Sequence, residues 1–338
     1  MQPHWKQHLS FALAGLILLF GSAYPSHADS HLRSSDQTTD ALSLTATLSS
    51  RPGVPGKTIE AEGETVDVST ASYTILVPEH SGTDEQRNDK AVIDYSHIDD
   101  GYFMVQRIME TDHRFKVLVK VSGKTYNYTL DTGDWAAFPL SEGDGSYQVQ
   151  VLENVSGTKY ANVIAASFRA QITDPFSPFL RPNLHVNYLD APKTMEKGAE
   201  LTEECTGPLQ KVDAVFTFIT ETINYDYLLA ATVEAGYVPN LDRILKRKRG
   251  ICYDYSSLMT AMLRSQNVPC KLVFGYVGKI YHAWISVWVE EEGWIDVIHF
   301  DGKTWQRMDP TFTAAGTRDE TVKKYVGNGN NYAVKYCF

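Results

Sequence analysis

The chain has 338 residues, of which 43% are hydrophobic and 12% aromatic, and a formal net charge of −10 at pH 7. That length holds about two domains on the usual ~100–200 residues each, and the apolar content is enough for packed cores. The acidic balance, with a pI near 5.5, speaks against a nucleic-acid surface, which is normally basic, so no nucleic-acid partner is expected.

In chain order, His4, Lys6 and His8 precede the apolar run Phe11–Phe20, and Ser26-His27-Ala28 offers a small-x-small cleavage site before Asp29. This is the layout of a signal peptide over residues 1–28. The apolar run is shorter than the ~20 residues that span a bilayer. The expectation is therefore export, a secreted or cell-surface (extracellular) product, and no membrane attachment after cleavage. No cysteine lies at the cleavage site to carry a lipid.

Residues 29–60 are rich in Ser, Thr, Asp and Gly without apolar periodicity, and read as a flexible lead. Residues 61–180 change to short strands: Tyr73–Val77, Ala91–Tyr95, Gly101–Val105, Phe115–Val121, Thr125–Leu130, Ser146–Val151 and Ala165–Ile172. Strands at this spacing with no long helical stretch predict an all-β, Ig-like antiparallel sandwich domain. Asp174-Pro175 and Pro178 close it.

Residues 181–338 form the second predicted domain. Residues 181–200 read as a linker. Leu209–Ile223 carries Val212, Val215, Phe216 and Ile219 on one helical face. Asn224-Tyr225-Asp226-Tyr227 breaks that helix. A short helix follows from Asn240, ending in Lys246-Arg247-Lys248-Arg249, and another opens at Cys252 with Tyr255, Leu258, Met259 and Met262 at helical spacing. Beyond Pro269, strands are predicted over 271–277, 284–289, 293–298 and 304–308. Helices followed by an antiparallel sheet make this domain α+β.

One order of residues carries chemistry: Gly250-Ile251-Cys252-Tyr253-Asp254, then Tyr281-His282-Ala283-Trp284, then Met308-Asp309-Pro310-Thr311. A neutral thiol is a poor nucleophile, so it needs a base, and the base needs an anchor that fixes its tautomer. Cys252 in the first turn of a helix would be the nucleophile, since partial positive charge there favours a thiolate. His282, starting a strand on the face of Trp284, Ser286 and Trp288, would be the base, with His299 as rival. Asp309, ending a strand expected to run beside the histidine strand, would be the anchor, with Asp296 and Asp301 as rivals. The backbone N–H of Cys252, with the Tyr225 hydroxyl or the Asn224 amide, would receive the oxyanion. If Cys252 stays free, at most one disulfide forms among Cys205, Cys270 and Cys337. Cys205 with Cys337 is the pairing chosen, Cys270 being read as a buried thiol. No C-x-x-C exists, and histidine spacing gives no zinc site.

Together these blocks, with Asn224-Tyr225-Asp226-Tyr227, resemble the transglutaminase-like core over roughly residues 205–313. The resemblance implies a papain-like α+β fold in which Cys252, His282 and Asp309 form a catalytic triad and Tyr225 helps to bind the oxyanion. Animal members usually carry tryptophan near the nucleophile and bind calcium. This chain has Tyr253 there and no EF-hand-like acidic loop, so neither a metal nor another cofactor is expected. The activity expected is acyl transfer from an amide through a thioester, released by water (a peptidase or amidase) or by an amine. The substrate expected is a protein or peptide, with cell-wall peptides fitting an exported enzyme. The rival expectation is a non-catalytic surface or cell-wall binding protein that keeps the fold as a scaffold.

Overall fold

Alternation of apolar and polar residues builds the first half of the molecule. The computed structural model describes residues 72–130, 133–290, 293–296, 298–300, 305–307 and 332–338, with 298–300 and 305–307 described by backbone alone. Residues 1–28 and 29–60 lie outside the described residues. Strands β1 (Glu85–Arg87), β2 (Ala91–Asp94), β3 (Tyr102–Arg107) and β6 (Ala136–Pro139) form an antiparallel sheet in the order β1-β2-β3-β6. Strands β4 (Phe115–Val121), β5 (Lys124–Leu130), β7 (Gly145–Ser156) and β8 (Lys159–Ala170) form a second, in the order β5-β4-β7-β8. Along β4, Phe115, Val117, Val119 and Val121 are buried while Lys116, Leu118 and Lys120 are less covered, the period of two that a half-buried strand requires.

The inner faces of the two sheets share one core. Ile93, Phe103 and Phe138 of the first meet Phe115, Tyr128 and Val149 of the second, with Tyr128 edge-on to Phe138 at 4.8 Å between ring centroids. This is the two-layer packing expected of the N-terminal region. Each such aromatic contributes about 1.5–3 kcal/mol by leaving water. The expected strand Tyr73–Val77 does not form. Its backbone is tied instead to the end of a helix, Thr74 N–H donating to the Ser265 carbonyl at 2.9 Å.

The second half adds α1 (Pro192–Thr202), α2 (Pro208–Thr222), β9 (Asn224–Tyr225), α3 (Tyr227–Thr232), α4 (Leu241–Arg247), β10 (Arg249–Gly250) and α5 (Cys252–Ser265). It then adds β11 (Cys270–Val277), β12 (Ile280–Val289), β13 (Gly293–Asp296), β14 (Ile298–Phe300), β15 (Trp305–Arg307) and β16 (Tyr332–Cys337). Residues 181–200 are thus not a plain linker, because α1 begins within them. Its buried stripe is Thr194, Met195, Gly198, Ala199 and Thr202, too weakly apolar to register as a helical pattern.

Every residue of α5 is buried. Helices α1, α2 and α4 cover one side and strands β11 and β12 the other. The sheet beneath it runs β13-β12-β11-β16 and is antiparallel throughout. Register pairs Phe274 with Ala283, Leu272 with Ile285 and Cys270 with Val287, and these apolar pairs join the core with α5. Gly275 has no substitute: a Cβ there would stand 2.1 Å from the Ala333 carbonyl oxygen of β16 and 2.6 Å from the Trp284 ring. The C-terminal strand can lie against β11 only because that side chain is missing.

One buried core runs from Ala91 to Phe338, and all described residues belong to one compact unit. All four cysteines are free, so the expected Cys205–Cys337 bridge is not made. Cys205 follows α1 and sits near the Leu201 carbonyl, whereas Cys337 is held in β16 against Val273. Cys270 is the buried thiol expected, pushed up to about 12 by burial. Among the described residues no helix is long and apolar enough to cross a membrane.

Arg264, 2% exposed near the end of α5, donates to the Cys270 carbonyl at 2.9 Å and to the Arg181 and Phe338 carbonyls at 2.7 Å each. Replacing it with methionine keeps much of the volume and leaves three buried carbonyls without these donors. Charge-assisted bonds are worth about 1.5–3 kcal/mol each, so Arg264→Met is expected to cost about 3 kcal/mol or more. Thermal unfolding followed by circular dichroism checks this, and an unchanged Tm would show that the guanidinium holds nothing together.

Candidate active site

Cys252 is the first residue of α5, as its sequence context predicts. It is 9% exposed, at the helix end where backbone N–H groups have no intrahelical acceptor. The approach to it is extended: β10 pairs in parallel with β9, Gly250 opposite Tyr225 and Arg249 opposite Asn224, and Ile251 continues with φ −101° and ψ 179°. The backbone bonds Asn224 N–H to Lys248 O and Asp226 N–H to Gly250 O, both 2.9 Å, fasten the two segments. Tyr225 therefore stands beside the glycine two residues before the thiol. It is half-buried, packs on the core and meets Tyr227 edge-on at 5.0 Å. Asn224 is exposed and opposite Arg249.

Asp254, two residues after the thiol, fixes this end of the helix. Its carboxylate accepts from the Ile251 N–H at 2.8 Å and from the Tyr237 hydroxyl at 2.7 Å. The acid at the third helical position reaching back to the N-cap N–H is half of a capping box. Burial pushes the carboxyl above the ordinary aspartate range, while the bonds from Tyr237 and Ile251 pull the other way. The same contact explains Gly250, where a Cβ would lie 2.5 Å from that of Asp254.

Tyr253 faces the sheet and the N-terminal sandwich. Its ring packs edge-on to Phe274 at 4.9 Å. Its hydroxyl donates to the His185 carbonyl at 3.1 Å and lies 2.8 Å from His185 Nδ1. His185 also touches Tyr128, Phe274 and Phe338, and burial lowers its pKa to about 4. Neither His185 nor Tyr237 was singled out from the sequence. Asp254 could have been, from its place three residues after the N-cap, but no local signal marks His185.

The start of β12 meets this end of α5. Tyr281 stacks with Phe274 at 6.1 Å, and its phenol is raised by burial, with a smaller contribution from the nearby Cys252. His282 is next, 4% exposed. It pairs with Gly275 and so belongs with Trp284 to the alternate face of the strand, as expected from the period of two, its ring 6.4 Å from that of Trp284. The structure thus sets the thiol near Tyr281, with His282 one residue along the strand, Asp254 two residues on in the helix and Tyr225 opposite Gly250.

The strand expected to run beside β12 and lead to Asp309 does not do so. The neighbours of β12 are β11 and β13, while β15, which leads toward Asp309, pairs with β14. The return after Val289, with Gly293 at φ +81°, folds β13 straight back onto β12 and occupies that edge. Asp309 and its rival Asp301 lie outside the described residues, as does the side chain of His299. Asp296 pairs with Ser286, four residues beyond His282, or about 13 Å along a strand. Among the described residues no cluster of three or more His, Cys, Asp or Glu could hold a metal ion.

A cysteine in the first turn of a buried helix, set against an antiparallel sheet whose neighbouring strand carries a histidine, defines an α+β thiol-bearing core. Residues 196–310 match the family model described as the transglutaminase-like superfamily. The chain is 28% identical over 147 residues to the uncharacterized protein YebA of Bacillus subtilis, covering 36% of this chain and 18% of YebA. It is also 28% identical over 93 residues to a protein-glutamine gamma-glutamyltransferase of Pseudomonas aeruginosa, covering 23% of this chain and 12% of that protein. The chain thus spans less than a fifth of the length of these curated relatives. A solved Cytophaga hutchinsonii protein described as a candidate cysteine protease is 13% identical, with a TM-score of 0.35 over 76% of this chain and 74% of that one.

Two outcomes are expected here. A His185 imidazole depressed to about 4 from its ordinary 6.5 favours the fold fully above about pH 6.5, and that contribution, about 3 kcal/mol, is lost as pH falls toward 4. The urea midpoint should therefore drop across this window in the wild type and much less in His185→Gln; parallel profiles would remove His185 from the account. Gly250→Ala should cost about 1–3 kcal/mol by overpacking and change the alkylation rate of Cys252. Unchanged stability and labelling would mean that Asp254 can step aside freely.

Proposed function

We propose that this chain is a thiol enzyme that takes an acyl group from an amide onto Cys252. The observation that carries the reading is the junction of α5 and β12: the cysteine opens the helix, and the first residues of the histidine strand pack at the same end. His282 accepts the thiol proton in this reading, with Asp309 as its anchor. Catalytic hydrogen bonds often tighten only in the complex.

The sulfur attacks the amide carbonyl, forming a C–S bond, and the oxyanion is received by the Cys252 N–H with help from the Tyr225 hydroxyl. Collapse breaks the C–N bond, and the imidazolium gives its proton to the departing amine or ammonia. Water or a primary amine then attacks the thioester, its proton passes back to His282, and the thiol is restored as the acid or new amide leaves. Glutamine side chains are the favoured donors, by analogy with the Pseudomonas aeruginosa relative named for that transfer. Export through residues 1–28, and an extracellular protein or peptide substrate, belong to the same proposal and rest on the sequence pattern alone.

The test is mass analysis of a glutamine-containing peptide incubated with the protein, with and without a primary amine. Gain of the amine, absent in Cys252→Ala, is the expected transferase outcome; deamidation or cleavage alone assigns a hydrolase. Iodoacetamide labelling separates the roles further. Cys252 should react faster than Cys205, Cys270 and Cys337, all three raised by burial, and His282→Ala should slow it about a hundredfold, the lower end of what a general base contributes, about 10²–10⁴. Four equally slow thiols and an unchanged peptide would leave the scaffold reading standing.

A further inference from the structure

Lys246, Arg247, Lys248 and Arg249 are consecutive and all exposed, in a chain whose net charge is −10. None of the four makes an ion pair with a described residue. They differ from a loose surface run because their backbone is fastened on every side. Helix α4 is capped by the Asn240 side chain, which accepts the Arg243 N–H at 2.9 Å. The helix is held to α1 by Asp242, whose carboxylate accepts the Thr194 N–H and hydroxyl at 2.8 Å each. Lys248 adopts the left-handed region, φ 52°, and its N–H donates to Ile244 O at 2.8 Å. Glycine or asparagine would fill that position with less strain. Arg249 lies in β10.

From Arg249 the chain runs extended to Cys252, about 10 Å at ~3.3 Å per residue, and Lys246 lies within about 20 Å of the thiol. Four cations on a fastened backbone thus lead to the nucleophile, close enough for one extended peptide to reach both. We propose that Lys246–Arg249 forms the subsite for an acidic segment of the peptide whose amide is attacked, with Asp or Glu roughly three to six residues from the acyl-donor position on an extended chain. This deepens the thiol-enzyme reading and rests on it. The chain as a whole is acidic, net −10, so a run of four cations stands out as a place for such a segment.

The experiment uses two fluorescein-labelled peptides with one glutamine, one carrying three glutamates at that spacing and the other serines in their place. Binding is read by anisotropy on Cys252→Ala, and turnover on the wild type. The acidic peptide should bind about tenfold tighter at low salt, lose that advantage as salt screens it, and show a lower KM with kcat unchanged. Neutralising the strip (K246Q, R247Q, K248Q, R249Q together) should erase the difference. Neutralising Lys120 and Lys159, exposed in the sandwich, should not. Equal binding of both peptides, or an advantage that survives the strip variant, overturns the proposal. Selective binding without turnover of either peptide would instead overturn the thiol-enzyme reading and leave the anionic subsite standing.

Discussion

A charged guanidinium sealed in the core, with backbone carbonyls as its hydrogen-bond acceptors, sets the frame of this molecule. Arg264 reaches three segments far apart in sequence: the turn after α5 at Cys270, the exit from the sandwich at Arg181, and the end of β16 at Phe338. Burying such a charge costs several kcal/mol, which these three acceptors must offset together. A lysine at that position could not reproduce the planar fork that serves all three at once. The helix that carries the nucleophile is therefore anchored at its far end to both halves of the chain.

Its other end is anchored by a different device. Tyr253 and His185 join α5 to the sandwich in a pocket of rings, and Asp254 joins it to Tyr237. Because α5 is buried along its whole length, it has no solvent-facing side along which to slide. Cys252 thus belongs to a rigid element fixed at both ends, the condition for holding a nucleophile at a set distance from its partners. The sandwich contributes to that rigidity directly, since Tyr128 and His185 pack on Phe338 and the α5–β11 junction. It serves as a wall of the core.

The parts legible in the sequence were those with short-range patterns. The period of two in β4 and the helical face of Val212, Val215, Phe216 and Ile219 reappear almost residue for residue, and Cys252 opens its helix as its position after Gly250 implied. What could not be read depended on distant partners. Helix α1 has a small, weakly apolar stripe that only its packing against α5, α2 and α4 makes meaningful. Strand β16 sits beside β11 through the missing side chain of Gly275. The edge of β12 went to β13 because a short return competes better than a distant strand, the loop-closure entropy rising with length. His185 became important only through Tyr253, 68 residues away in sequence.

The environments of the four thiols separate structure from chemistry. Burial raises Cys270 to about 12 and Cys337 to about 11, so at neutral pH both remain protonated and inert, and Cys205 is raised as well. Cys252 is also largely covered, but its cover is of another kind. It lies at the positive end of a helix, near the phenol of Tyr281 and downstream of four exposed cations. Backbone N–H groups at a helix start can receive negative charge on sulfur or on an attacked carbonyl, whereas Cys270 is sealed in the core with its thiol hydrogen-bonded to the Thr260 hydroxyl. The buried carboxylate of Asp254 would oppose a thiolate nearby. Its own charge is disfavoured by burial and is spread onto Tyr237 and the Ile251 N–H, so it caps the helix at reduced electrostatic cost to the sulfur.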